Sequence, residues 1–139
     1  MSNDQLIRVG DVYRHSFKFS QSQVNTFCEV SGDNNPIHWD EAYAAQTIFK
    51  KPIIHGFLGG SVFSKVFGTQ FPGEGTIYLR QEMKFMKPMY VETQYEAVLT
   101  VKDVNAAKHK GIITTQVFEV ATGTVVIEGE AELMHRTRF

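Results

Sequence analysis

Between Val12 and Phe19, Tyr13, His15, Phe17 and Phe19 alternate with Arg14, Ser16 and Lys18, the two-residue period of a strand with one buried face. Ser20 or Ser22 then offers an N-cap for a helix carrying Val24, Phe27 and Cys28 on one side. That helix stops at Ser31-Gly32-Asp33-Asn34-Asn35-Pro36, a run of turn formers in which the proline forces Asn35 out of the helical region. Asp40 caps a short second helix from Glu41 to about Phe49, and Pro52 separates it from a charge-poor helix extending towards Phe71. A helix apolar on nearly all sides must be wrapped by other elements. Beyond the turn at Phe71-Pro72-Gly73-Glu74-Gly75, strand patterning marks 76–86, 91–103, 111–120 and 124–135. In the second of these segments Val91, Thr93, Tyr95, Ala97, Leu99 and Val101 share one face. Ala121-Thr122-Gly123 reads as a tight hairpin connection.

A strand, helices, one very apolar helix and then an antiparallel meander describe an α+β domain whose sheet curls around the central helix, a hot-dog arrangement. No repeat or linker divides the chain, so residues 1–139 are expected to form a single domain. The exposed edge of such a sheet invites continuation into a second subunit, hence an expected homodimer, with higher oligomers left open.

Composition narrows the field by exclusion. The formal net charge is -1 and the basic clusters are short, which gives no footprint for nucleic acid. The charge-poor run is interrupted by Lys65 and rich in glycine, so it reads poorly as a membrane span. The single Cys28 cannot form an intrachain disulfide and reads as a buried inert thiol. The start MSNDQLIRVG carries no leader pattern, so a reducing cytoplasm is the expected location.

The informative stretch is Phe27-Cys28-Glu29-Val30-Ser31-Gly32-Asp33-Asn34-Asn35-Pro36-Ile37-His38, with Ala44 six residues further on. It resembles the signature of the MaoC-like, (R)-specific enoyl-CoA hydratases, where Gly-Asp-x-Asn-Pro-aliphatic-His follows an aromatic and a small residue. Gly32 to His38 agree at every defined position. The resemblance continues through Pro52-Ile53-Ile54-His55-Gly56, the central helix and Thr76-Ile77-Tyr78-Leu79, and so spans most of the chain. It implies hydration of a trans-2-enoyl-CoA by an Asp33/His38 dyad that holds the water, with syn addition giving the (R)-3-hydroxyacyl product. It also points to Ser64 as a third polar group lining the site.

The chemistry supplies a physical reason for the pattern. Adding water to an unsaturated thioester needs a base, an acid and a donor for the enolate oxygen. Asp33 and His38 are the candidate acid and base, with their individual roles open. The backbone N–H of Gly56, near the start of the central helix, is the candidate oxyanion donor. Asn35, His55 and Ser64 are supporting residues, and Trp39 and Gly60 are candidate substrate contacts. Each has a plainer reading: an Asx turn for Asp33, a satisfied histidine for His38, helix-start packing or a backbone bond for His55, a bond to its own helix for Ser64. Gly56, Gly59 and Gly60 serve either close sheet-on-helix packing or space for an acyl chain. Phe57, Phe63, Phe67, Phe85 and Phe118 are expected in the core, while Trp39 either covers the loop or lines the tunnel.

Asp33, His38, Asp40 and His55 match no zinc spacing, so no metal is expected. No nucleophile elbow, phosphate loop or dinucleotide fingerprint is present, and hydration needs no cofactor beyond the CoA thioester substrate. The resemblance implies a hydratase that supplies hydroxyacyl-CoA to polyester synthesis or fatty acid breakdown, or one that runs in reverse as a 3-hydroxyacyl-[acyl-carrier-protein] dehydratase. Lys50, Lys51, Arg80, Lys84 and Lys87 suit nucleotide phosphates or an acidic carrier alike. A hot-dog thioesterase is the competing enzyme, disfavoured because residues 52–71 contain no Asp or Glu. A noncatalytic acyl-CoA-binding subunit would have no chemical need for both titratable groups.

Overall fold

The computed structural model describes residues 5–139, so the first four residues of the N-terminal stretch read above lie outside it. The chain runs β1 (Val12–Phe17), α1 (Gln21–Ser31), a 3-10 turn (Pro36–His38), α2 (Glu41–Ala45), α3 (Gly56–Thr69), β2 (Ile77–Phe85), β3 (Tyr95–Asn105), a second 3-10 turn (Ala106–Lys108), β4 (Lys110–Glu119) and β5 (Val125–Met134). Local chemistry sets the boundaries. Ser20 caps α1 through a capping box with Gln23, and Asp40 caps α2 by accepting from the Tyr43 N–H. α2 ends at Ala45, short of Phe49, where the Thr47 hydroxyl donates to the Ala44 carbonyl and Lys50 adopts a left-handed φ of 69°. β3 starts at Tyr95 and not at Val91, because Glu92 sits at φ 54°, a conformation no strand continues through.

All five strands form one antiparallel sheet in the order β1-β3-β4-β5-β2. Only β3, β4 and β5 make a meander; β2 crosses over to pair with β5 and becomes one edge, with β1 the other. The expected four-strand meander is corrected in that respect. The Ala121-Thr122-Gly123 hairpin closes with the Gly123 N–H on the Glu119 carbonyl and Gly123 at φ 71°.

One buried cluster joins Leu58, Val62, Phe63, Val66 and Phe67 of α3 to the inward residues of β3, β4 and β5, among them Leu99, Val101, Ile113, Val117, Ala131 and Leu133. The inward face read along β3 is buried at Tyr95, Ala97, Leu99 and Val101, and Val98 on the opposite face is buried as well. α3 is shorter than Pro52 to Phe71, and the sheet covers one face of it; Phe57, Ser61, Ser64 and Lys65 face outwards. Phe63 and Phe67 are core residues as expected, whereas Phe118 is half-buried and Phe57 and Phe85 are 70% and 48% exposed. These last two ring positions belong to the cleft walls described below.

The α3 glycines permit close packing. A Cβ at Gly56 would lie 2.6 Å from the Phe85 ring, one at Gly59 2.8 Å from Met89 Sδ, and one at Gly60 2.5 Å from Met83 Sδ. Side chains of β2 and of the segment after it therefore occupy the room that a longer residue on α3 would need. Tight sheet-on-helix contact, one of the two readings given for these glycines, is present at all three, and Gly56 and Gly60 also border clefts.

Two glycine substitutions should separate contact from propensity. Gly129→Ala places a Cβ 1.7 Å from the Glu82 carbonyl oxygen, so urea melts are expected to show a loss of about 1–3 kcal/mol from overpacking at the β2–β5 ladder. Gly68 on the outer face of α3 has open space around it, and Gly68→Ala should gain about 1 kcal/mol from helix propensity.

Candidate active site

The loop after α1 is built from its own side chains. Gly32 ends the helix in the left-handed region at φ 77°, with its N–H on the Cys28 carbonyl. The Ser31 hydroxyl donates to the Phe27 carbonyl and accepts from the Asp33 N–H at 3.0 Å. Asp33 Oδ1 accepts from the Asn35 N–H at 3.4 Å, and Asn35 Oδ1 accepts from the Ile37 N–H as cap of the 3-10 turn that Pro36 opens. The Asx-turn reading of Asp33 is thus correct for one carboxylate oxygen. The other, Oδ2, lies 3.9 Å from His38 Nε2.

That separation is beyond a direct hydrogen bond but lets one water touch both atoms. His38 is buried, and its Nδ1 stands 2.8 Å from the Ile53 carbonyl oxygen. A carbonyl only accepts, so Nδ1 carries a proton, and Nε2 is the ring nitrogen turned towards Asp33. The Asp33 side chain is 55% exposed and so meets solvent at the mouth of the site.

His55 lies behind the pair. It is 3% exposed, and its ring stacks on His38 at a centroid distance of 3.6 Å with 23° between planes. Its Nε2 donates to the Asp33 carbonyl at 3.0 Å and contacts Cys28 Sγ at 3.6 Å. Its Nδ1 is buried with no hydrogen-bond partner among the described residues. Burial pushes the His55 pKa below its ordinary value, and nearby His38 adds to the shift, against the opposing pull of the Asp33 carbonyl. The Cys28 thiol is pushed up by burial first and by Asp33 second, which leaves it unreactive, as read from the sequence.

Gly56 opens α3, so its N–H has no carbonyl of its own helix to bond. The N-cap residue His55 makes no side-chain cap, which leaves the positive end of the helix free for an incoming oxygen. Gly56 lines a cleft of about 400 Å³ together with Phe27, Ser31, Asp33, His38, His55 and Phe57.

Asp33, His38, His55 and Gly56 thus line one cleft, with Asn35 shaping the loop beside them. Trp39 takes the first of its two readings: its indole N–H donates to the Asn34 carbonyl, covering the loop, and it is absent from the cleft wall. Ser64 and Gly60 line a separate cleft of about 300 Å³ with Phe57, Ser61, Met83 and residues of β2. Within one chain, therefore, Ser64 and Gly60 do not join the dyad. Arg80 is engaged by Glu130 at 2.9 Å, whereas Lys87 borders an apolar groove of about 410 Å³ that also reaches Gly56 and Phe57.

Three contributors escaped the sequence reading. Ser31 was legible only as a turn former, although its hydroxyl holds Asp33. The Ile53 carbonyl, which fixes the His38 tautomer, comes from fifteen residues away and leaves no side-chain signal. Phe57 was placed in the core but walls all three clefts. Asp33, His38 and His55 offer ligand-type atoms within 4.8 Å of one another. Each ring has one nitrogen at a carbonyl, which leaves His38 Nε2 and His55 Nδ1 as the nitrogens not so engaged.

Comparison with known proteins follows the same lines. A family model described as "MaoC like domain" matches residues 7–124. The (R)-specific enoyl-CoA hydratase of Aeromonas caviae is 39% identical over 127 residues, covering 91% of this chain and 94% of that protein. The solved structure described as the (R)-hydratase from A. caviae involved in PHA biosynthesis superposes with a TM-score of 0.89 at 37% identity, over 93% of this chain and 97% of that one. A mitochondrial 3-hydroxyacyl-[acyl-carrier-protein] dehydratase of Arabidopsis thaliana is 32% identical over 133 residues, 94% of this chain and 79% of that protein.

The depressed His55 pKa has a sign that can be measured. The unfolded chain takes up this proton near the ordinary histidine value of about 6.5, while the folded protein resists it. Stability from the neutral ring is complete above that pH and is lost as pH falls towards the folded pKa. Thermal melts from pH 7 to pH 5 should show a steeper fall for the unaltered protein than for His55→Gln; parallel curves would exclude His55 as the source.

Proposed function

The chain belongs to the MaoC-like domain family, and on that footing we propose that it is an (R)-specific enoyl-CoA hydratase, adding water reversibly to trans-2-enoyl-CoA to give (R)-3-hydroxyacyl-CoA. The observation that carries the proposal is the 3.9 Å gap between Asp33 Oδ2 and His38 Nε2, set beside the free N–H groups at the start of α3.

When the His38 ring carries its proton on Nδ1 alone and Asp33 is a carboxylate, both atoms facing the gap are acceptors. A water between them donates one hydrogen to each, which turns its oxygen lone pairs outwards to the substrate's C3. As the C3–O bond forms, the π electrons move through C2 to the thioester oxygen, and the Gly56 N–H receives the charge developing there. One water proton passes to the dyad, and the dyad returns a proton to C2 from the side on which the water sat, so addition is syn. Asp33 and His38 are assigned jointly as acid and base. Oxidation states of the substrate balance without an electron carrier, so the reaction calls for no redox cofactor, and the charge stabilisation assigned to Gly56 calls for no metal.

The same residues serve the reverse dehydration, and the carrier-protein dehydratase among the relatives makes an acyl-carrier-protein substrate the second reading. Lys87 at the rim of the apolar groove suits either a nucleotide phosphate or an acidic carrier. We further assign a homodimer, because the edge strand β2 leaves Leu79 and Phe85 exposed next to Phe57, and Ile77 exposed further along the strand. Ser64 is assigned a supporting role, and Gly60 substrate contact, only within such an assembly. No helix among the described residues is long and apolar enough to cross a membrane. A reducing compartment such as the cytoplasm suits the unpaired Cys28.

Incubation with crotonyl-CoA should bleach the conjugated enoyl absorbance and yield the (R)-alcohol; release of free thiol would instead establish a thioesterase. Asp33→Asn and His38→Ala should each lower kcat by about 100-fold with the fold retained. Full turnover by either variant would remove that residue from the mechanism. Light scattering should give twice the 15.8 kDa chain mass, and a monomer would exclude the dimer.

A further inference from the structure

His55 touches every part of the proposed site and yet offers it little surface, bordering the cleft while only 3% exposed. Its Nε2–H holds the Asp33 main-chain carbonyl at 3.0 Å, its ring face backs His38 at 3.6 Å, and its own carbonyl group is one half of the peptide bond that presents the Gly56 N–H. The edge of Phe27 closes its other side at a centroid distance of 4.7 Å. A ring 3% exposed, with one nitrogen committed to a carbonyl and the other buried, has no atom free for a water or a thioester. Resting on the hydratase reading above, we infer that His55 is a positioning residue: as the Nε2–H tautomer it ties the Asp33 backbone to the start of α3 and props His38, so that the two dyad atoms keep their separation.

The unpartnered Nδ1 explains why this residue is suited to the task. Protonating the ring would place a hydrogen on Nδ1, where no acceptor exists among the described residues, and would set a cation face to face with His38. The direction of the His55 shift agrees with this geometry. The titratable groups that face the ring are Cys28 from α1, Asp33 from the loop and His38 from the 3-10 turn. The nearest charged residue on its own helix is Lys65, on the outer face. A neutral ring therefore props the dyad without adding charge to it, and its stacked face remains compatible with a positive charge on His38 during turnover.

Two substitutions divide the role into its parts. His55→Gln keeps an N–H near the Nε2 position, and His55→Phe keeps the stacked ring but loses the donor. With crotonyl-CoA, His55→Gln should retain kcat to within about threefold, whereas His55→Phe should lose about tenfold or more in kcat with KM changed by less than about twofold. Wild-type kcat in His55→Phe would overturn the inference, and so would equal losses in both variants that track equal falls in Tm, since those mark packing alone. A readout independent of turnover is the imidazole ¹H–¹⁵N spectrum: a neutral Nε2–H tautomer at pH 7 supports the tether, and an Nδ1–H form overturns it. A wild-type protein that shows the tether but leaves crotonyl-CoA and its carrier-protein analogue untouched would overturn the hydratase reading itself.

Discussion

The site depends on how near α3 can come to the sheet. Glycine at positions 56, 59 and 60 lets Phe85, Met89 and Met83 fill the space where side chains would stand. With bulkier residues the helix would ride further out, and its N-terminus would leave the loop that carries Asp33 and His38. Each buried helix-interior glycine costs about 1 kcal/mol in propensity relative to alanine, a penalty offset by contact with Met89, Ile127 and Met83. The depth of the core and the location of the Gly56 N–H are therefore one constraint.

Within the loop, folding and chemistry draw on the same atoms. Asp33 uses one oxygen to close a turn and leaves the other towards His38. Asn35 caps the 3-10 turn that brings His38 round, and Pro36 sets the start of that turn. Asp33 is exposed, so its freedom is limited by backbone and turn bonds and by little side-chain packing. His38 is held the opposite way, by burial and a carbonyl from a distant segment.

Elements whose signals are local were legible in the sequence. The caps Ser20 and Asp40, the turn at Gly32 to Pro36 and the alternation of Tyr95, Ala97, Leu99 and Val101 each have a cause within a few residues. The position of β2 beside β5 was not legible, since strand order follows from long-range pairing and β2 has an alternating pattern that fits either neighbour. Phe57 was misplaced because an aromatic on an apolar helix reads as core until one knows which face the sheet covers. For the site, the residue types announced themselves at Asp33, His38 and Gly56, while the Ile53 carbonyl and the tautomers of both histidines belong to the folded chain alone.

Much of the positioning at this site runs through peptide groups: the carbonyls of Asp33 and Ile53 and the amide of Gly56. Substitution of neighbouring side chains leaves such groups in place, so the surface around them can diverge while the reacting geometry is inherited unchanged. Insertions or deletions act differently, because one extra residue between Asp33 and His38 would move these two side chains relative to each other and to the Ile53 carbonyl. The geometry of this loop is thus set more by its length than by the side chains around it.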